Sequence, residues 1–228
     1  KTAYEIRLSL VGSEMCIRDR LKGIGQTQVN PKTGYTFAKG LRAILRQDPD
    51  VVMVGEMRDV ETAQIGIQSS LTGHLVLSTV HTNSAVAAIA RLRDMGIESY
   101  LLASSLKTII AQRLVRRLCN NCKTVDTPDD ETLKNLNLEK TAVVYKANGC
   151  EECLDSGYKG RIAIAECLQV DKKIKEMIHN NSAEAEIQDY AFQNNESIDQ
   201  ASTNLILSGI TSCDEILRIN NLKDNGSV

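Results

Sequence analysis

The sequence predicts an α/β fold: a short parallel sheet with chemistry at its strand ends, then a metal-stapled insertion, then a helical C-terminal bundle. Three observations lead there. Val51–Val54 and Leu75–Val80 are short apolar runs that each end abruptly in charged or hydrogen-bonding residues, as buried strands of parallel sheets do where they deliver polar groups to a ligand edge. Two Cys-x-x-Cys pairs, Cys119/Cys122 and Cys150/Cys153, bracket a short polar segment. Beyond Asp171 the apolar residues recur at helical spacing.

The elements follow in chain order. Val51, Val52, Met53 and Val54 are rich in β-branching, too few for a helix, and apolar on both faces, which suits a central strand. Asp59 is placed to cap a helix running to about Leu71, with Ala63, Ile67 and Leu71 on one stripe and Gly73 as its stop. Leu75–Val80 is the next strand, and His81, Thr82 and Asn83 stand at its end. A helix from about Ser84 to Met95 carries Val86, Ile89, Leu92 and Met95 inward and stops at Gly96. Strand, helix, strand, helix with short connections is a right-handed βαβ arrangement.

That arrangement brings Glu56 and His81 to the same sheet edge, one strand apart. A carboxylate there can hold a magnesium-bound water or polarise an attacking one, and a histidine can hydrogen-bond a terminal phosphate oxygen. Either residue alone would serve equally well as a helix cap or a satisfied strand-end histidine; the pair in one βαβ unit favours chemistry.

The four cysteines Cys119, Cys122, Cys150 and Cys153 form two knuckles that can grip one tetrahedral ion, and four thiolates make a closed structural zinc site. Nothing marks the chain as secreted, which disfavours disulfides. Between the knuckles, Thr127-Pro-Asp-Asp-Glu131 reads as a helix start with Pro at its first position. Cys167, in the alternating run Arg161–Val170, and Cys213 read as small buried hydrophobes, and His179 as a surface or helix-end residue. Later helices are expected around Ile174, Met177 and Ile178, then from Ser182 with Ile187, Tyr190 and Ala191 inward, then Ile198 to Ile206 closed by Gly209, and finally Asp214 to Ile219.

Composition bounds the function. The 228 residues carry 42% hydrophobic and 25% charged residues, ordinary for a globular protein with a real core. The longest apolar runs fall far short of a membrane span, so direct membrane insertion is not expected. Residues 1–118 hold 16 Lys and Arg against 10 Asp and Glu, and residues 119–228 hold 11 against 19. Arg113, Arg116 and Arg117 cluster before the first knuckle and read either as an ordinary solvated helix face or as a phosphate or subunit-interface group. A pI near 6.0 and 4% aromatics argue against nucleic-acid binding.

Arg46–Asp59 (RQDPDVVMVGEMRD) followed by Thr72–Asn83 (TGHLVLSTVHTN) closely resembles the Walker B and histidine boxes of the type II secretion and type IV pilus assembly ATPases. Gly34–Phe37, Ala111–Cys119 and Gly209–Arg218 match the same family, and the likeness extends from about Leu21 to the C-terminus. The resemblance implies a RecA-like P-loop NTPase core, ATP hydrolysis with Mg2+, and a homohexameric ring. It also implies a cytoplasmic place on the bacterial inner membrane, driving a platform protein that assembles a pseudopilus or pilus. Carried over, Glu56 is the Walker B glutamate, His81 the histidine-box sensor, and Arg58 and His74 neighbouring nucleotide-site residues. The tetracysteine module resembles the secretion and pilus-extension members; the retraction ATPases lack it.

Two family features are missing. No Gly-rich loop ending in Lys-Ser/Thr occurs in the 228 residues. The family's acidic box should precede Gln26–Asn30, but Arg7–Arg20 stands there and resembles a translated sequencing-adapter read-through, so Glu14 and Cys16 carry no functional weight. The expected organisation is a foreign segment at 1–20, a partial RecA-like core at 21–118, the zinc module at 119–160, a strand and helical bundle at 161–220, and a frayed tail at 221–228. On this reading the chain is an inactive C-terminal fragment of an ATPase. The alternatives are a non-catalytic zinc-stapled adaptor and a RecA-like nucleic-acid motor.

Overall fold

The computed structural model describes residues 8–12 and 21–224. The chain divides into two compact units, the first taking residues up to 82 together with 86–109 and 169–190, the second 83–85, 110–168 and those from 191 onward.

The first unit is built on four parallel strands, β1 (Leu8–Gly12), β2 (Ile24–Gln28), β3 (Val51–Val54) and β4 (Leu75–Ser78), in the order β2-β1-β3-β4. Helix α1 (Phe37–Leu45) starts at Thr36, whose side chain accepts from the Lys39 amide. Helix α2 (Val60–Leu71) starts at Asp59, which accepts from Thr62 as its capping position predicts. The two helices pack on each other and on the sheet, with an Arg42–Glu61 ion pair of 2.7 Å between them. Val11, Leu41, Ile44, Val52 and Val54 make the buried core.

Among the described residues these helices cover only one sheet face. Val52 and Val54 point into the core while Met53, Leu75 and Leu77 on the opposite face are 41, 52 and 48% exposed. Val51–Val54 is thus an inner strand, as its apolar run suggests, with only one of its two apolar faces buried. β4 also ends at Ser78, two residues early, which releases Thr79–His81 to form a loop.

The unit is completed by α3 (Ala85–Asp94), α4 (Ser99–Ser105), α6 (Lys172–His179) and α7 (Glu184–Ala191). Val86, Ile89, Leu92 and Met95 are buried, as their spacing predicts. α4 packs on α6, and Arg93 donates to the Ile178 carbonyl at 3.1 Å. His179 is an exposed helix-end residue.

Of residues 1–20, expected to be foreign to the fold, Leu8–Gly12 occupies the strand between β2 and β3 with Leu10 and Val11 buried. An apolar Leu-Ser-Leu-Val run suits a parallel strand whatever its origin. Glu14 and Cys16 lie outside the described residues.

The second unit holds a ribbon of β5 (Thr108–Leu118) and β8 (Tyr158–Gln169), a small antiparallel pair β6 (Thr124–Asp126) and β7 (Val144–Lys146), and helices α5 (Asp130–Asn135), α8 (Ile198–Leu207) and α9 (Cys213–Asp224). Its core gathers Val115, Leu133, Val144, Ile164, Ile206 and Ile216.

Several expectations change here. The Arg113–Arg117 cluster lies on a strand, so its side chains alternate between faces where a helix would have grouped them. α5 is capped by Asp129, accepting from Thr132, with Pro128 outside the helix. In β8 the alternation runs through Ile164, Glu166 and Leu168, so Glu166 is buried and Cys167 exposed. Glu166 is satisfied there by the backbone N–H groups of Ala85 and Ile198, at 2.8 and 3.1 Å. Cys213 is buried as expected. The C-terminal helices do not form one bundle, since α6 and α7 belong to the first unit and α8 and α9 to the second. The last helix continues through Asp224, past the expected frayed boundary at Asn221.

Candidate functional site

Glu56 follows β3 at the C-terminal edge of the sheet, and its backbone is fixed from both sides. The Gly55 amide donates to Val11, the Thr79 hydroxyl donates to the Gly55 carbonyl at 2.7 Å, and the Met57 amide donates to the Thr79 carbonyl at 3.0 Å. The loops after β3 and β4 are thereby zipped together, and His81 lies two residues beyond the zipper. Thr79 has no charge or unusual spacing to mark it, so nothing in its local pattern points to this role.

The Glu56 side chain is buried but ionisable, at 8% exposure. The Arg58 Nε lies 2.5 Å from its Oε2, and the His81 Nε2 approaches the same oxygen at 3.3 Å. The Arg58 hydrogen bond holds the carboxyl below the ordinary glutamate range, against the upward push of burial, and His81 adds to the lowering. With Glu56 ionised, the His81 contact requires a proton on Nε2. Neither contact uses Oε1. Arg58 and His81 are largely exposed, at 65 and 86%. The arrangement is an anchored carboxylate flanked by two nitrogen donors that are free to reach an anionic ligand.

His74 does not join this group. The register pairs Val51 with Leu75, so His74 is level with Asp50 at the N-terminal edge of the strands, six positions from Glu56 and at the opposite end of the sheet. Its Nδ1 is 3.0 Å from the Ser69 carbonyl and 3.2 Å from the Thr72 hydroxyl, closing the end of α2.

Cys119, Cys122, Cys150 and Cys153 come together in the second unit with all four sulfurs within 4.8 Å of one another. Sγ separations are 3.9 Å for Cys119–Cys150, 3.8 Å for Cys122–Cys153 and 3.7 Å for Cys150–Cys153. Four sulfurs at about 2.3 Å from a central ion would stand about 3.8 Å apart along a tetrahedral edge, so the donor set fits such an ion. Backbone N–H groups of Gly149, Cys150 and Gly157 point at the sulfurs from 3.2–3.4 Å. Burial raises the Cys153 thiol, but the Cys150 and Gly157 amides outweigh it and bring it down to about 7. Cys150 is stabilised by the Cys153 amide, yet desolvation and the neighbouring sulfurs push it up to about 12. Four thiols this close cannot all ionise without a cation among them.

A family model described as Type II/IV secretion system protein matches residues 7–218. The chain belongs to that family. It is 52% identical over 201 residues to the type II secretion system ATPase E of Vibrio cholerae, covering 87% of the chain and 40% of the relative. It is 46% identical over 202 residues to the type IV pilus assembly ATPase PilB of Thermus thermophilus, covering 86% of the chain and 23% of the relative. The chain thus spans well under half the length of these type II/IV secretion system proteins. Among solved structures, the pilus retraction motor PilT with bound ADP superposes with a TM-score of 0.65 at 26% identity, covering 93% of the chain and 52% of PilT. The Legionella pneumophila ATPase DotB matches with a TM-score of 0.64 at 19% identity, over 97% of the chain and 53% of DotB. That likeness speaks for the fold alone. Among the described residues no helix is long and apolar enough to cross a membrane.

Proposed function

We propose that this chain is the C-terminal part of a ring-forming ATPase that powers type II secretion or type IV pilus assembly. The observation that carries the reading is the buried, ionised Glu56 at the end of β3, held by Arg58 and facing His81 across the zipped strand ends. Mg2+ is commonly held by one or two carboxylates plus substrate phosphates, and Glu56 is the carboxylate that would hold it, or a water bound to it, here. When bound, the ion supplies charge stabilisation to the phosphoryl oxygens. Glu56 accepts a hydrogen bond from the attacking water and orients it. The exposed His81 Nε2–H donates to a terminal phosphate oxygen, and loss of that phosphate frees the histidine to return to Glu56. Arg58 keeps Glu56 charged and stands ready to take up phosphate charge.

The tetracysteine cluster holds Zn2+ as a structural staple and favours the secretion and pilus-extension branch over retraction. By family likeness the parent forms a hexamer in the cytoplasm and works against an inner-membrane platform protein. The Gly-rich loop belongs to the parent, and the uncovered face of Met53, Leu75 and Leu77 is where further sheet-covering structure belongs. The test is nucleotide binding by the 228-residue chain against the full-length gene product, using a fluorescent ATP analogue. The parent binds and the chain alone does not; ATP turnover by the chain alone would overturn the fragment reading.

A further inference from the structure

Glu215, in the first turn of α9, is fully buried and has no place in the chemistry above. Arg116 on β5 grips it three ways, with the guanidinium Nη2 and Nε at 2.6 and 2.8 Å from Oε2 and the backbone amide at 3.0 Å from Oε1. Arg218 adds two more bonds at 2.9 and 2.8 Å. Burial alone would raise this carboxyl, but the two arginines bring it down to about 2.

The surrounding bonds run toward the cysteines. The Arg116 guanidinium lies 4.0 Å from the centre of the Tyr158 ring, and the Tyr158 hydroxyl is 2.7 Å from Ser212, whose oxygen accepts from the Glu215 amide. Thr211 donates to the Arg116 carbonyl at 2.9 Å, and the Leu118 amide donates to Ile210 at 2.8 Å. Just past Cys122, Lys123 donates to the Gly209 carbonyl at 2.8 Å. Residues 209–215 therefore hold the chain on both sides of the first knuckle. Through Tyr158 they also hold the neighbour of Gly157, whose carbonyl accepts from Cys119 and whose amide donates to the Cys153 sulfur.

We infer that the Glu215-centred cluster is a positioning element for the tetracysteine site, presetting both knuckles so that metal affinity depends on residues that touch no metal. This rests on the reading that the four cysteines bind zinc. Outer partners of metal ligands govern affinity because they fix the ligands' orientation before the ion arrives. Holding the knuckles in place removes conformational entropy that zinc would otherwise have to overcome.

The experiment is competition for Zn2+ between the 228-residue chain and a chromophoric chelator, with Co2+ absorption as a second readout. Glu215→Gln lowers zinc affinity about tenfold, the lower end of the range for outer-shell substitutions. Thr211→Val and Tyr158→Phe each remove one hydroxyl from the cluster and weaken zinc binding by a smaller factor, which keeps the inference testable if Glu215→Gln fails to fold. Ile206→Ala, in the same core but outside the network, is the control for lost stability and leaves affinity unchanged. The Co2+ spectrum keeps its four-thiolate charge-transfer bands throughout. Wild-type protein that binds no zinc overturns the zinc reading and the inference with it. Wild-type binding with cluster variants no weaker than Ile206→Ala overturns the inference alone.

Discussion

Gly157 and Gly160 form an internal comparison beside the second knuckle. Both sit at positive φ, +71° and +79°, where an alanine costs about 1–2 kcal/mol by backbone strain. They differ in space. A Cβ at Gly160 meets nothing within 4 Å, whereas a Cβ at Gly157 would lie 2.5 Å from the Ala147 Cβ, 3.0 Å from its Cα and 3.1 Å from the Asn148 nitrogen. Two of those atoms are backbone, so relief requires moving the chain, and overpacking of this kind costs about 1–3 kcal/mol. Gly160→Ala should therefore cost about 1–2 kcal/mol and Gly157→Ala about 2–5 kcal/mol. Urea denaturation of the zinc-loaded chain, followed by circular dichroism, measures both. Zinc release to a chelator should accelerate only for Gly157→Ala, because its amide and carbonyl bond Cys153 and Cys119 directly. Equal costs for the two variants would refute the reasoning.

Further outcomes follow from the same geometry. Cys119→Ser should abolish stoichiometric zinc in atomic absorption and loosen hydrogen-exchange protection across 119–158; unchanged metal content would contradict the closed four-thiolate site. Because Glu215 titrates near 2 when folded, its contribution is fully present above the ordinary glutamate value of 4.5 and is lost as pH falls from there toward 2. The stability gap between wild type and Glu215→Gln, measured in urea with a chelator present throughout, should shrink across that window, and a constant gap would refute the assignment. Arg58→Gln removes the bond that lowers the Glu56 carboxyl, so the Glu56 titration followed by carbon NMR should move to higher pH.

The parts legible in the sequence were those specified by neighbours in the chain. Val51–Val54, the Asp59 cap and the stripe from Val86 to Met95 depend on local spacing, and the structure keeps them. Glu56 and His81 meet because two parallel strands end level, which the apolar runs already implied. His74 went astray because its motif lies next to the strand in sequence, while the parallel register sends it to the opposite edge. Cys167 is exposed and Glu166 buried because alternation fixes which residues share a face, not which face is buried. Glu166 earns its burial from two backbone amides, 81 and 32 residues away, which no local pattern reveals. Glu215 was equally hidden, since an acidic residue in a helix's first turn reads as a solvated cap and its partner Arg116 lies 99 positions earlier.

The most direct test of the account is ATP turnover by the full-length gene product carrying Glu56→Gln beside wild type, with nucleotide binding and ring assembly measured on the same samples. The account predicts that the variant binds nucleotide and assembles but loses turnover by a hundredfold or more, on the order of a lost catalytic carboxylate. Turnover at the wild-type rate would remove Glu56 from the chemistry and with it the proposed role of the site.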